Sequence, residues 1–302
     1  MIREFRADDA EAVAQLLHED EPSGPMTAAG LLHWLAVQPE RAAAQMWVAL
    51  EDGELAGWAR ARFRWKTSAE RIGEPWVFVR PAHRCRGVGT ALLRTAEEHL
   101  LRKRARILQT WTSSDDDCAF LEHRAYRSSR KERISLLDFA GETPEPQVPE
   151  GYSVVPLCDL RNRTRELHAL DAAAGADVPE TFVEDDVRYA EWTRETLQHP
   201  DLSLDGSFVV LHGRRPVSYA FLHAEPDAGL AANEMTGTLA EYRGRGLARL
   251  AKLATIRWAR EHGFRTIVTT NDERNLPMLR LNGSLGYRPV GTETEYVRED
   301  LS

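Results

Sequence analysis

A chain of 302 residues exceeds most single hydrophobic cores and is long enough for two domains of roughly 150 residues each. A charged content of 28%, with no apolar run near the roughly 20 residues of a membrane span, excludes a helical membrane protein. The net charge of −8 weighs against a nucleic-acid partner, and the locally basic stretches 102–104 and 127–133 are read as solvated faces.

The opening residues Met1-Ile2-Arg3-Glu4-Phe5-Arg6 carry charges where a signal peptide needs an apolar stretch, so a cytoplasmic protein is expected. Cys85, Cys118 and Cys158 lie far apart without a Cys-x-x-Cys spacing, which predicts free thiols in a reducing compartment. The histidines form no cluster at ligand spacing, and no metal is expected.

In chain order, the first half reads as a short strand, two helices, three strands, a long helix, a strand, a short helix and a final pair of strands. Its third central strand is Trp76 to Pro81, which contains no carboxylate and leaves Glu74 just outside; the long helix runs over Thr90 to Arg104. Residues Gly141 to Gly151, rich in Pro, Gly and Glu, can continue neither a helix nor a central strand and form the expected linker. The second half repeats the order. Tyr152 to Pro156 is a strand, Asn162 to Ala173 and Val183 to Leu197 are helices, and Ser207 to His212, Val217 to Ala224 and Glu234 to Leu239 are strands. The long helix Gly246 to His262, the strand Thr266 to Thr270, the short helix Leu276 to Leu285 and a hairpin from Tyr287 to Val297 complete it. The expected fold is mixed α/β, with one domain over 1–140 and a second over 152–302.

Two pairs of motifs recur at nearly one offset and argue for an internal duplication. Arg84-Cys85-Arg86-Gly87-Val88-Gly89 matches Arg243-Gly244-Arg245-Gly246-Leu247-Ala248, and Phe120 to Tyr126 matches Leu281 to Tyr287. Each Arg/Gly turn opens the long helix of its half. The first N–H groups of a helix lack intrahelical partners and the helix dipole adds partial positive charge there, so such a turn can hold a pyrophosphate. Glycine lets the backbone approach the phosphate, and Arg243 or Arg245 adds ionic contacts. A purely conformational use of the glycines is the alternative.

The paired motifs Arg84-x-x-Gly87-x-Gly89 and Arg243-x-x-Gly246-x-Ala248 resemble the signature of the GNAT N-acetyltransferase superfamily, and their tandem arrangement resembles two-domain members of the mycothiol synthase type. The resemblance implies two tandem GNAT-like domains, acetyl-CoA as donor and no metal. The pyrophosphate would lie on the turn at Arg243, Gly244, Arg245, Gly246, Leu247 and Ala248, the pantetheine between splayed strands near Thr238 and Leu239, and the acyl group would pass directly to an amine. The C-terminal copy is the expected catalytic domain. Arg84, Gly87 and Gly89 give the N-terminal copy a donor-binding or degenerate role.

A carboxylate beside the acceptor helps because an alkyl amine is almost fully protonated at neutral pH. Glu234, on the strand before the second turn, is the candidate base. Asn271 and Asn275 are candidates for bonding the donor's amides, although Asn275 before Leu276-Pro277 also reads as a helix N-cap. Asn282 stands where many family members carry the tyrosine that protonates the departing thiolate, which leaves the usual general acid in doubt. Tyr287 reads as a core aromatic. In the first copy Asp115-Asp116-Asp117 replaces the asparagine run. On the acceptor side Asp177 and Glu180 offer negative charge to a cationic amine, with a solvated charged loop as the alternative. The expected acceptor is a small-molecule amine, such as a mycothiol precursor, an aminoglycoside or an amino acid derivative. A protein N-terminus and a non-catalytic acyl-CoA sensor are the competing readings.

Overall fold

The two Arg/Gly turns open 15-residue helices in separate compact units of the computed structural model. Unit 1 comprises Met1–Glu132, Thr181–Asp186 and Thr292–Ser302; unit 2 comprises Arg133–Glu180 and Val187–Gly291. The structure describes residues 1–19, 24–67, 71–139, 144–176, 178–179, 181–182, 184 and 187–299.

In unit 1, β1 (Ile2–Glu4), α1 (Ala10–His18) and α2 (Ala28–Val37) precede β2 (Gln45–Glu51), β3 (Glu54–Phe63) and β4 (Ile72–Val79). Next come α3 (Val88–Arg102), β5 (Ile107–Thr112) and α4 (Asp115–Glu122); β6 (Arg127–Asp138) begins in unit 1 and from Arg133 belongs to unit 2. Alternation along the strands separates two apolar faces. One packs Ala59 and Ala61 against Val88, Leu92, Ala96 and Leu100 of α3; the other packs Met46, Val48 and Trp58 against Val13, Leu16 and Leu17 of α1 and Leu31 of α2.

In unit 2, β7 (Tyr152–Pro156), α5 (Thr164–Gly175) and α6 (Tyr189–Trp192) precede β8 (Phe208–His212), β9 (Arg215–Glu225) and β10 (Leu230–Thr238). They are followed by α7 (Leu247–Glu261), β11 (Thr266–Asp272) and α8 (Leu276–Ser284); β12 (Arg288–Arg298) begins in unit 2 and from Thr292 belongs to unit 1. The helix expected over Val183 to Leu197 begins only at Tyr189 and ends in a π-helical turn over Thr193–Leu197; Val183, Asp185 and Asp186 lie outside the described residues. Asp171 in α5 accepts from Trp192 Nε1 at 2.6 Å and from the Tyr219 hydroxyl of β9, fastening the helices to the sheet. Gly237 permits this close packing, because a Cβ there would lie 2.6 Å from that of Ala174.

The strand order is β1-β2-β3-β4-β5-β12 in unit 1 and β6-β11-β10-β9-β8-β7 in unit 2. The hairpin expected over Tyr287 to Val297 is a single strand, and the expected final pair of the first half is likewise the single strand β6. Antiparallel pairing from Thr294↔Thr112 to Arg298↔Leu108 sets β12 on β5, inside unit 1. Gly291, a local turn signal, is extended within β12, since satisfying the backbone of a long strand and burying Tyr296 and Glu295 outweigh its turn propensity. Residues from Arg133 thus belong to unit 2 and those from Thr292 to unit 1. The strand expected over Trp76 to Pro81 with Glu74 outside it is β4, which starts at Ile72, so Glu74 lies inside the strand.

Candidate active site

The second turn leaves β10 at Thr238, whose hydroxyl lies 2.7 Å from that of Ser218, and Leu239 N donates to Val217 O at 3.0 Å. Gly244 (φ 74°) and Gly246 (φ 76°) both take the left-handed region, where a side chain is strained, and nothing stands within 4 Å of a Cβ at either. The concavity therefore remains open above the first amides of α7. The Leu247 side chain is buried in the core, so only its backbone faces a ligand, while Arg243, Gly244, Arg245 and Gly246 are exposed and Ala248 is half-buried. Arg243 Nε donates to Thr238 O at 3.1 Å, and Arg245 bonds Glu241 O at 3.0 Å and the Tyr152 hydroxyl at 3.2 Å. These bonds hold both exposed arginines at the turn.

Strands β10 and β11 pair in parallel only from Leu230↔Thr266 to Ala232↔Val268. Just beyond, the register of β10 with β9 shifts between Asn233 and Met235, and Glu234 is the bulged residue. Its side chain is 49% exposed, and one carboxylate oxygen lies 3.5 Å from His223 Nδ1. The His223 ring stacks on His199 with centroids 4.5 Å apart, and His199 Nδ1 accepts from Asp201 N at 3.2 Å. A half-exposed carboxylate beside an imidazole can take a proton and pass it on. Sequence reading did not find the two histidines, because only the register of β9 against β10 brings His223 to Glu234.

Behind the bulge lies a buried polar cluster. Tyr287 donates to Asn233 Oδ1 at 2.5 Å, and Asn233 Nδ2 has no partner. Asn282, 2% exposed, donates to Asn271 Oδ1 at 2.6 Å and leaves its own Oδ1 unpartnered. Asn275 caps α8, its Oδ1 accepting from Met278 N at 3.3 Å, and burial pushes Tyr287 well above the usual phenol range.

Lys252 of α7 is buried with its ammonium 4.8 Å from the Tyr287 ring centre, and burial lowers its pKa to about 7. The unfolded chain keeps this proton to about pH 10.4. Between those values the unfolded state binds more protons, so stability rises with pH, and below about 7 the full burial penalty applies. Lys252→Met should raise Tm in calorimetric melts, by more at about pH 6 than at about pH 9.5. An equal rise at both would show that the buried ammonium is not the cause.

Unit 1 repeats the turn without the carboxylate. Arg84 Nε donates to Val79 O at 3.1 Å, as Arg243 does to Thr238 O, and Gly87 has φ 85°. Strands β4 and β5 pair only at Ile72↔Ile107 and Gly73↔Leu108, and a cavity of about 560 Å³ opens between them. Arg84, Gly87, Gly89, Trp76, Asp116 and Asp117 are among its lining residues. The β3–β4 register is unbroken, with Pro75 opposite Ala61. Glu74 is spoken for: burial alone would raise its pKa, but Arg62 at 2.7 Å and Arg64 at 3.9 Å hold it below the usual carboxylate range. Asp177 and Glu180 lie outside the described residues. No described helix is long and apolar enough to cross a membrane.

Strand splay, anion-holding turn and duplicated plan define an N-acetyltransferase of the GNAT class. The chain belongs to the acetyltransferase (GNAT) family, whose model matches residues 9–126 and again 167–287. It is 27% identical to the mycothiol acetyltransferase of Saccharomonospora viridis, across 97% of this chain and 95% of the relative. It is 30% identical to that of Thermomonospora curvata, across 82% and 80%. Among solved structures it resembles a tandem GNAT protein from the clavulanic acid biosynthesis pathway, with a TM-score of 0.74, 22% identity and coverage of 99% and 98%. A GCN5-related N-acetyltransferase from Sphaerobacter thermophilus gives a TM-score of 0.71 and 21% identity across 99% and 95%.

Proposed function

We propose that this acetyltransferase uses acetyl-CoA to acetylate a primary amine on a small molecule, and that unit 2 carries the chemistry. The observation that supports this most directly is the bulge in β10, which projects Glu234 half-exposed on the strand that feeds the Gly244–Gly246 turn. Acetyl-CoA supplies the activated acyl group as a thioester. The amides of Leu247 and Ala248 with Arg243 and Arg245 would hold its pyrophosphate, and Thr238, Leu239, Asn271 and Asn275 would border its pantetheine arm. Asp177 and Glu180 are the proposed acidic groups on the acceptor side.

Glu234 takes the proton that otherwise blocks attack. An ammonium of pKa near 10.4 is neutral in about one molecule in 10³ at pH 7, a penalty of roughly 4–5 kcal/mol. His223, 3.5 Å away, gives the proton a second resting place on its way to solvent. The freed amine nitrogen bonds to the thioester carbon, the C–S bond breaks, and the sulfur keeps its electron pair. A thiol of pKa about 8.5 can leave as thiolate, so the step tolerates an amide at Asn282 in place of a proton donor. Unit 1, with Pro75 where unit 2 has its bulge and with Arg84, Gly87 and Gly89 on an open cavity, binds a donor without catalysing transfer.

The test is acetyl-CoA titration by calorimetry, together with thiol release on a panel of mycothiol-precursor, aminoglycoside and amino-acid amines. Gly246→Trp should abolish turnover, and Gly87→Trp should preserve it. Failure of the wild type to bind acetyl-CoA would overturn the reading.

A further inference from the structure

Unit 1 contains a guanidinium with no anion. Arg60 on β3 stands opposite Trp76 on β4, and its guanidinium carbon lies 4.0 Å from the centre of the Trp76 ring. Trp34 of α2 follows at 4.8 Å and Trp58 at 6.0 Å. Among the described residues Arg60 has no hydrogen bond and no carboxylate within ion-pair distance. The next arginine on its face of β3 is matched: Arg62 Nε is 2.7 Å from Glu74.

Indoles attract the positive charge through their π faces but accept none of the five N–H donors. Burial lowers Arg60 to about 9, which leaves it cationic at neutral pH. Half-buried and stacked, the fork is held in place with its edge uncommitted, the arrangement that a carboxylate matches with two parallel bonds. The nearby charges leave this open: Glu74 is engaged by Arg62 and Arg64, and Glu293 acts on Arg60 from beyond ion-pair distance. Trp76 also borders the cavity of about 560 Å³ that Glu293 and the Arg84–Gly87 turn line as well. The Trp76 ring, on which the Arg60 guanidinium lies, is the contact that links Arg60 to this cavity.

We propose that the unit 1 cavity binds an acyl-CoA whose acyl chain ends in a carboxylate, and that Arg60, held by Trp34, Trp58 and Trp76, receives that carboxylate. The proposal rests on reading the Arg84–Gly89 turn as a coenzyme A site. It separates the ligand of unit 1 from the acetyl donor of unit 2.

The test is calorimetric titration of the full chain with succinyl-CoA and butyryl-CoA, whose four-carbon acyl groups differ in ending on a carboxylate or a methyl. The wild type should bind succinyl-CoA about 10- to 100-fold more tightly, the range expected of a charge-assisted bidentate contact. Arg60→Gln should equalise the two ligands without changing the butyryl-CoA affinity, and Arg60→Lys should restore only part of the difference. Gly87→Trp should remove the discriminating site. Arg60→Gln orphans no partner, and a melt alongside checks that it folds. Equal affinities in the wild type, or a preference that survives Arg60→Gln, would overturn the proposal while leaving the coenzyme A reading intact. Binding of neither thioester would remove that reading and the proposal with it.

Discussion

Glu234→Gln should lower acetyl transfer by about 10²- to 10⁴-fold, the usual worth of a positioned general base, while acetyl-CoA affinity stays within about twofold. The substitution keeps the shape of the side chain and the bulge between Asn233 and Met235, and removes only the capacity to hold a proton. Nothing else at the bulge replaces it fully. His223 approaches Glu234 to 3.5 Å but is packed on His199, so it can relay a proton more readily than it can meet the amine. The loss should be greatest near neutral pH and shrink at alkaline pH, where the amine deprotonates unaided. Steady-state kinetics against pH measure both features. An unchanged kcat, or an equal loss at all pH values, would remove Glu234 as the base.

Glu295→Ala should destabilise the protein by about 3–5 kcal/mol, because it removes one of the two carboxylates on Arg130 and the acceptor of Gln109 and Thr181 from a buried network. Glu295 is fully buried in β12, where it accepts from Gln109 Nε2 at 2.5 Å, from Arg130 Nε at 3.0 Å and from the Thr181 hydroxyl. Arg130 keeps Glu132 at 2.7 Å, which sets the loss toward the lower end of the range. Although residue 295 lies in the last strand of the chain, the destabilised unit should be unit 1, whose sheet that strand joins. Urea denaturation followed by tryptophan fluorescence reads this directly. The paired change Glu295→Met with Arg130→Met should recover part of the lost stability, since it removes the charge left by Glu295 but takes the Arg130 partner from Glu132. A loss below about 1 kcal/mol for the single variant would show that the cluster is not a tight buried network.

The features legible in the sequence are those whose physics is local. The two Arg/Gly turns declare themselves because Gly87 and Gly246 must take positive φ where a strand turns into a helix. Asn275 announces the start of α8 because its side chain bonds a backbone N–H three residues on. Periodicity marks α7 over nearly its full length, and the matched motifs reveal the duplication and hence the family. What the tertiary structure decided depends on pairs of residues far apart in the chain. Tyr287 to Val297 reads as a hairpin, yet β12 runs straight through, because its ladder partners from Leu108 to Thr112 lie far away in the chain. The bulge at Glu234 exists only in register with β9, and that register alone brings His223 beside the carboxylate. Trp58 and Arg60 on β3, and Trp76 and Phe78 on β4, are each two residues apart. That these side chains share one face follows only from the β3–β4 register. Strand partnership and register are set by nonlocal burial and ladder hydrogen bonding, which no window of sequence contains.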